Sequence, residues 1–479
     1  MIKQEIKKPH SPETKGIVQT TAVSWVLVSL SLPMLLSSLG TSIANVSLPT
    51  LAEAFNASFQ QVQWVVIAYL LSITTLVVSI GRLGDMVGRR QLLLIGILLF
   101  TGASALCGVA PSLWLLIVAR AAQGLGAAAM MALTLTFVGE TVSKEKIGSA
   151  MGLLGTMSAI GTALGPSLGG ILISGLGWRS IFLVNLPLGI FTFLLAKRYL
   201  PADPNVRTSP AAGFDYVGTL LLALTIGAFA LAMTVGRGNF GTVNLALLVL
   251  ATGSVLLFIR IEARTTTPLI QMVMFRNRVL TSSLIMCVLV ATVMMATLVV
   301  GPFYLARALG LETALVGLTM SVGPLVATLS GVPVGRTTDR YGAQRVTIAG
   351  LVLMLFGTLT IAAIPTNFGV PGYLAPLVIT TVGYMLFQTA NNTSVMAKLQ
   401  ANQRGVISGM LSLSRNLGLI MGASLMGAIF ALASATADVT SATPDAVATG
   451  MRVTFFVAGT LIAIALAIAV RTYQQKQTA

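Results

Sequence analysis

The chain has 479 residues, 55% of them hydrophobic and only 9% charged, with a formal net charge of +16. Roughly a quarter of the residues of a soluble domain are charged, so this composition excludes a water-soluble globule and leaves no stretch for a sizeable soluble domain. The positive balance does not indicate nucleic acid, because the basic residues punctuate apolar runs instead of gathering on one face with stacking aromatics.

In chain order, the stretch KQEIKKPHSPETK reads as part of a disordered polar tail over 1–21, and it holds the single histidine, His10. The first apolar run, 22–46, exceeds the roughly 7–15 residues of a signal-peptide core and has no clear small-residue cleavage site. It reads as an uncleaved first span. A membrane-crossing helix needs about 20 apolar residues. Runs of that kind, bounded by charges, Pro/Gly turns and polar clusters, follow at 62–81, 91–110, 113–138, 149–173 and 179–197. Two more lie at 217–235 and 242–261, and six at 279–301, 313–334, 346–364, 372–397, 405–432 and 451–470. The expected fold is an all-α polytopic membrane protein of fourteen spans. Its expected parts are a six-helix bundle over 22–200, a linker with two additional helices over 201–278, and a second six-helix bundle with a short tail over 279–479.

With both termini on the cytoplasmic side, the lysines and arginines concentrate in cytoplasmic loops, the usual orientation signal. Only Arg179, Arg237, Arg307 and Arg452 fall on the other side, and Arg120 and Arg415 stay within spans. Trp25, Trp64, Trp114 and Trp178 all sit at predicted span ends, as an interfacial belt requires. Cys107 and Cys287 lie inside apolar runs, which supports neither a disulfide framework nor a thiolate metal site. No metal, cofactor or enzyme chemistry is expected.

One loop motif repeats. GRLGDMVGRR, after the second span, supplies Gly81, Asp85, Gly88, Arg89 and Arg90. GRTTDRYGAQR, after the tenth, supplies Gly335, Asp339, Gly342 and Arg345, and the two aspartates are 254 residues apart. One copy therefore falls in each six-helix block, and parallel halves around a midplane site are a transporter architecture. The glycines permit a tight return between helices, and each aspartate suits a helix amino terminus. The pattern reads either as a gate, with Asp85 latching the cytoplasmic ends of spans 2 and 11, or as a basic turn that sets topology.

At these residues the chain resembles the major facilitator superfamily, and specifically its fourteen-span drug:proton antiporter branch of multidrug efflux type. GRLGDMVGRR is similar to the family's loop between spans 2 and 3, and Arg120, Gln123, Gly124 and Gly126 in LIVARAAQGLG to its span 4 motif. LGTSIANVSLP and QWVVIAYLL resemble the span 1 and span 2 signatures. MGLLGTMSAIGTALGPSLGG supplies Gly152, Gly161, Gly165, Pro166, Gly169 and Gly170, which match the span 5 antiporter motif. The resemblance implies a monomeric exporter of drugs or other small amphipathic compounds in the cell membrane, working by alternating access and coupled to protons.

A central membrane arginine costs from about 3 to over 10 kcal/mol, so Arg120 is expected to face the interior and find acceptors. Arg415 invites the same argument. The remaining polar candidates for the substrate cavity are Asn45, Gln63, Tyr69, Gln123, Gln388, Asn391 and Asn392, each of which either binds cargo or hydrogen-bonds between helices. Much of the branch has an aspartate where this chain has Gly40. None of the thirteen acidic residues falls near the middle of a predicted span; Glu140, at the end of span 4, is the nearest candidate proton carrier. A cationic substrate gains no carboxylate partner here, which favours neutral, amphipathic or anionic cargo. If Asp85 latches a gate, Asp85→Asn is expected to impair turnover while leaving the yield in the membrane fraction intact; normal transport would remove the gating role.

Overall fold

The computed structural model describes residues 13–77, 79–141, 147–201, 215–235, 241–265, 275–396, 401–434 and 442–477; within them, the side-chain surroundings at 13–24, 81–82, 85, 139–141, 147–152, 332, 396, 401–406, 408 and 475–477 are not described. Among the described residues, fourteen helices are long and apolar enough to cross a membrane. Spans 1–6 are Trp25–Val46, Phe59–Leu76, Arg89–Val109, Leu113–Val138, Leu153–Leu176 and Ser180–Tyr199. Spans 7 and 8 are Tyr216–Thr234 and Thr242–Glu262. Spans 9–14 are Arg278–Ala308, Thr313–Gly331, Ala343–Ala363, Thr366–Val395, Gly409–Ala433 and Pro444–Gln474. An apolar medium offers the backbone no hydrogen-bond partners, so each crossing segment satisfies its own groups as a helix.

Two expectations are corrected. The first helix starts at Glu13, so residues 13–21 are helical and not part of a disordered tail; the last proline of the tail is Pro12, and nothing from Glu13 to Thr21 stops a helix. Trp64 is not at a span end, because span 2 begins at Phe59. Its indole N–H donates to Thr234 of span 7 at 3.0 Å.

The loop repeat is realised in the backbone. Gly88 and Gly342, again 254 residues apart, both precede a long helix with positive φ, 103° and 84°. Only glycine adopts that conformation without steric cost. The same offset links Gly96 of span 3 to Gly350 of span 11. A Cβ on Gly96 would lie 2.7 Å from the Ala129 methyl and 3.2 Å from the Gly126 carbonyl of span 4; one on Gly350 would lie 2.6 Å from the Phe387 amide and 2.7 Å from the Gly383 carbonyl of span 12. Spans 3–4 and 11–12 are thus joined by equivalent backbone contacts.

Spans 1, 3, 4, 5 and 6 pack on one another, as do spans 9, 11, 12, 13 and 14. Span 7 packs on span 2 and on span 13, while span 8 packs mainly on span 7 and is largely exposed. Span 5 bridges the two sets through two glycine faces one residue apart. Gly161, Gly165 and Gly169 press on span 1, where added Cβ atoms would strike the Leu35 carbonyl, Ser42 and Val46. Pro166 and Gly170 press on span 10, where a Cβ on Gly170 would meet Gly317 Cα and the Thr313 carbonyl, both at 3.0 Å. Gly152 lies outside the described side-chain surroundings.

Small residues let membrane helices approach closely where no hydrophobic force drives them together. Gly317→Val is expected to cost about 1–3 kcal/mol through overpacking, because its Cβ would meet the Pro166 carbonyl and Gly170 Cα. Gly331→Val, whose Cβ would meet nothing within 4 Å, is the control. A thermal midpoint that falls for the first and not for the second supports the close contact.

Candidate functional site

A cavity of about 210 Å³ lies between the two sets of helices, lined from spans 1, 2, 4 and 5 on one side and 9, 10, 12 and 13 on the other. Its lining continues to the ends of spans 2 and 4 at Val77 and Leu135, on the side of the repeated loops, termed the basic end. Toward the opposite end it reaches Asn45, one residue from the end of span 1, and Met320 and Tyr373, about two helical turns from the starts of spans 10 and 12.

Four contacts close that far end. The Phe59 ring meets Phe303 and Phe430 edge-on, with centroids 4.7 and 5.3 Å apart. Gln63 donates from Nε2 to the Ala423 carbonyl at 2.8 Å, and Gly427 makes room for it, since a Cβ there would strike the same amide. Glu53 and Arg307 form an ion pair at 2.6 Å. Spans 5 and 10 complete the closure at Gly170 and Gly317. Arg307 and Ala423 both sit on π-helical turns, Tyr304–Ala308 and Gly422–Met426, of the kind that appears as local bulges in helices, often at functional sites.

Of the residues expected to line the cavity, Asn45 and Arg415 do so. Arg120 does not. It is fully buried, donating from Nε to the Val65 carbonyl at 2.8 Å and from Nη1 to the Gly40 carbonyl at 3.1 Å and to Gln123 Oε1. Its guanidinium lies 4.1 Å from the centre of the Tyr69 ring, a contact worth about 0.5–2 kcal/mol. Gln123 passes the chain on to Ser104 Oγ at 2.6 Å, and the Tyr69 hydroxyl donates to the Ser37 carbonyl at 2.8 Å. Among the described residues Arg120 has no carboxylate partner; carbonyls of spans 1 and 2 take the place of one, and Nη2 is left without an acceptor. This network turns Arg120, Gln123 and Tyr69 away from the cavity and into the contact of spans 1–4.

Gln63 belongs to the far-end closure. Asn391 is buried and donates to the Ser283 carbonyl at 3.4 Å, while Gln388 and Asn392 are not among the lining residues. In the loops, Arg90 donates to the Lys197 carbonyl, Arg89 also begins span 3, and Asp339 and Arg345 are exposed at the basic end. Gly335 has open space around it. Gly81 and Asp85 lie on the helix Ile80–Val87 and Glu140 near the end of Leu113–Thr141, with their surroundings outside the described residues.

The lining also holds residues that sequence reasoning missed: Ser37, Ser38, Thr41 and Ser42 of span 1, with Ser158 and Tyr384. With Asn45 the span 1 residues form a polar stripe at positions i, i+1, i+4, i+5 and i+8 of an otherwise apolar helix, a 3.6-residue period that was present in the sequence. Ser38 and Ser158 hydroxyls pair at 2.6 Å, and Ser42 donates to the Gly161 carbonyl at 3.2 Å. The stripe therefore both lines the cavity and fastens span 1 to span 5.

Comparison with known proteins gives a consistent picture. The sequence profile described as Major Facilitator Superfamily matches residues 30–423. The chain is 32% identical over 406 residues, 85% of its length and 88% of the relative's, to "Riboflavin transporter RibZ" of Clostridioides difficile (strain 630). It is 32% identical over 420 residues, 85% of its length and 75% of the relative's, to "Multidrug resistance protein Stp" of Mycobacterium tuberculosis (strain CDC 1551 / Oshkosh). In fold it is similar to a bacterial homolog of the human lysosomal transporter Spinster, with TM-score 0.68, 16% identity, and 95% of this chain and 98% of that one covered.

The Arg120 network generates a stability prediction. Arg120→Ala leaves the Val65 and Gly40 carbonyls and Gln123 without their donor and is expected to cost about 1–3 kcal/mol for each buried acceptor left unpaired, read as a lower thermal midpoint and lower folded yield of the purified protein. Arg120→Lys, which keeps the charge but not the fork of donors, is expected to fall between.

Proposed function

The chain belongs to the Major Facilitator Superfamily, a family of secondary transporters, and from that premise we propose that it exports drugs or other small amphipathic compounds across the cell membrane by alternating access. The observation that carries this reading is the cavity between two repeated helix sets, closed at one end and lined to the other. The basic end is read as cytoplasmic from the lysine and arginine bias, so the cavity is poised to take cargo from inside.

For release, the far-end contacts part: the Phe59 cluster, Gln63 with Ala423, Glu53 with Arg307, and span 5 against span 10. Gly161, Gly165 and Gly169 keep span 5 on span 1, so it moves with its own half. In the same reading the loops carrying Asp85 and Asp339 then close the basic end. The relatives' printed names include multidrug resistance and riboflavin transport, which fits a cavity of methionines and hydroxyls.

Coupling to protons is the family branch's expected mode. Against it stands the lining itself, in which no carboxylate occurs among the described residues. A proton-coupled cation exporter uses a buried carboxylate that proton and substrate compete to neutralise. That observation favours a second reading, export of a specific neutral or anionic metabolite or lipid-like compound without proton coupling.

Proteoliposome efflux of a cationic dye and of a neutral antibiotic, with and without a proton gradient, tests both. Under the second reading the neutral compound moves at a rate the gradient leaves unchanged. Gradient-driven export of the dye supports antiport instead, and flux of neither compound counts against broad efflux. Gly40→Asp, which supplies the branch's carboxylate beside Arg120, is expected to increase gradient dependence if a proton site is what the wild type lacks.

A further inference from the structure

Among the described residues, Arg415 is the single charged one of the cavity lining. It is exposed there, and among the described residues it makes no hydrogen bond or ion pair. It stands six residues beyond Gly409, the start of span 13, or roughly 9 Å along the helix. Uncharged polar residues share the lining with it: Ser412 is one turn earlier on the same face, Asn416 is adjacent, and Tyr384 comes from span 12.

A second unmet need lies in the same lining, on the other half. Asn45 is 1% exposed and donates from Nδ2 to the Thr41 carbonyl at 3.1 Å, which leaves its Oδ1 buried in the lining without a donor. A buried amide oxygen with no partner is destabilising until a donor arrives. The rest of the wall is apolar and adaptable, with Met131, Met294, Met295 and Met320 among its members.

We propose that Arg415 and Asn45 are the two polar anchors of the cargo site and that the cargo is an amphipathic organic anion. Its carboxylate, sulfonate or phosphate group sits on Arg415, a hydrogen-bond donor of the same molecule meets Asn45, and its apolar body lies against the methionines. A guanidinium presents a planar fork of donors that matches such groups bidentately, and low-dielectric walls strengthen the pairing. A cation meets a like charge with nothing to offset it. The basic residues at the open end raise the local concentration of anions before entry.

This inference rests on the transport reading above, and the two fail separately in one experiment. Dansylglycine, its uncharged amide and the cationic dansyl-ethylenediamine share an apolar body and differ in charge. Their binding to the full-length protein in phosphatidylcholine nanodiscs is measured by fluorescence titration, and their flux in phosphatidylcholine proteoliposomes, for the wild type, Arg415→Gln, Arg415→Lys and Asn45→Leu. The acid is expected to bind about tenfold more tightly than the amide. Arg415→Gln abolishes that preference, Arg415→Lys keeps part of it, and Asn45→Leu weakens the acid and the amide together.

Because Arg415 has no described partner, thermal midpoints of its variants are expected to match the wild type. Equal binding of the three probes, a preference that survives Arg415→Gln, or no binding at all overturns the inference; transport of any probe in those cases leaves the export reading standing. An Arg415-dependent preference without flux upholds the site and counts against export. Loss of acid binding when phosphatidylglycerol is added to the nanodiscs assigns the site to a lipid headgroup and overturns the small-molecule assignment.

Discussion

The structure depends on how closely helix backbones approach when no hydrophobic force separates a helix from its surroundings. Lipid tails are as apolar as leucine, so helices associate through packing and hydrogen bonds. Span 5 meets this constraint twice. Its two glycine faces, one toward span 1 and one toward span 10, differ by a single residue of phase, about 100° around the helix. One face lies within its own half and is fastened by hydroxyls from Ser38, Ser42 and Ser158. The other lies across the seam and is bare backbone. A hydroxyl-fastened contact and a close backbone contact are therefore written on adjacent strips of the same helix.

The two intramembrane arginines illustrate the opposite solutions to an expensive charge. Arg120 is surrounded by acceptors and an aromatic face, so its charge is spread over spans 1, 2 and 4 and serves their packing. Among the described residues Arg415 makes no hydrogen bond, ion pair or ring contact, and it lines the cavity. Gly40 is the hinge of the difference: without a side chain, it exposes its carbonyl to Arg120 Nη1, and a Cβ there would lie 3.1 Å from the Tyr69 hydroxyl and 3.2 Å from the Phe100 ring. The residue that breaks the family pattern is thus itself an acceptor in the network.

Much of this architecture was legible in the chain. Apolar runs marked all fourteen spans, and the 254-residue offset read from Asp85 and Asp339 reappears in the positive φ of Gly88 and Gly342 and in the contacts of Gly96 and Gly350. The glycines of span 5 stood out as a motif, though the motif did not show that Pro166 and Gly170 would take a different neighbour from Gly161 and Gly165. The cavity was less legible, for a physical reason. Large polar side chains such as Gln63, Gln123 and Asn391 attract attention as ligands, yet they can reach hydrogen-bond partners on other helices and are used up there. Serines and threonines satisfy themselves on the carbonyl four residues back, as Thr41 does on Ser37. They line a cavity at little cost, and only their spacing betrays it.

The π-helical turns at Tyr304–Ala308 and Gly422–Met426 give the far-end closure a further property. Each holds one residue more than an α-helical turn, so it is a dislocation in an otherwise regular lattice of hydrogen bonds. A dislocation can travel by exchanging one acceptor at a time, without the helix ever melting. Each residue it passes is turned by about 100° relative to what lies ahead. Because Arg307 and the Ala423 carbonyl both ride on such defects, a one-residue slip redirects the ion pair and the acceptor for Gln63 at their source. In the alternating-access cycle proposed above, the closure would come undone by local phase change, with no need for the whole helix to be displaced first.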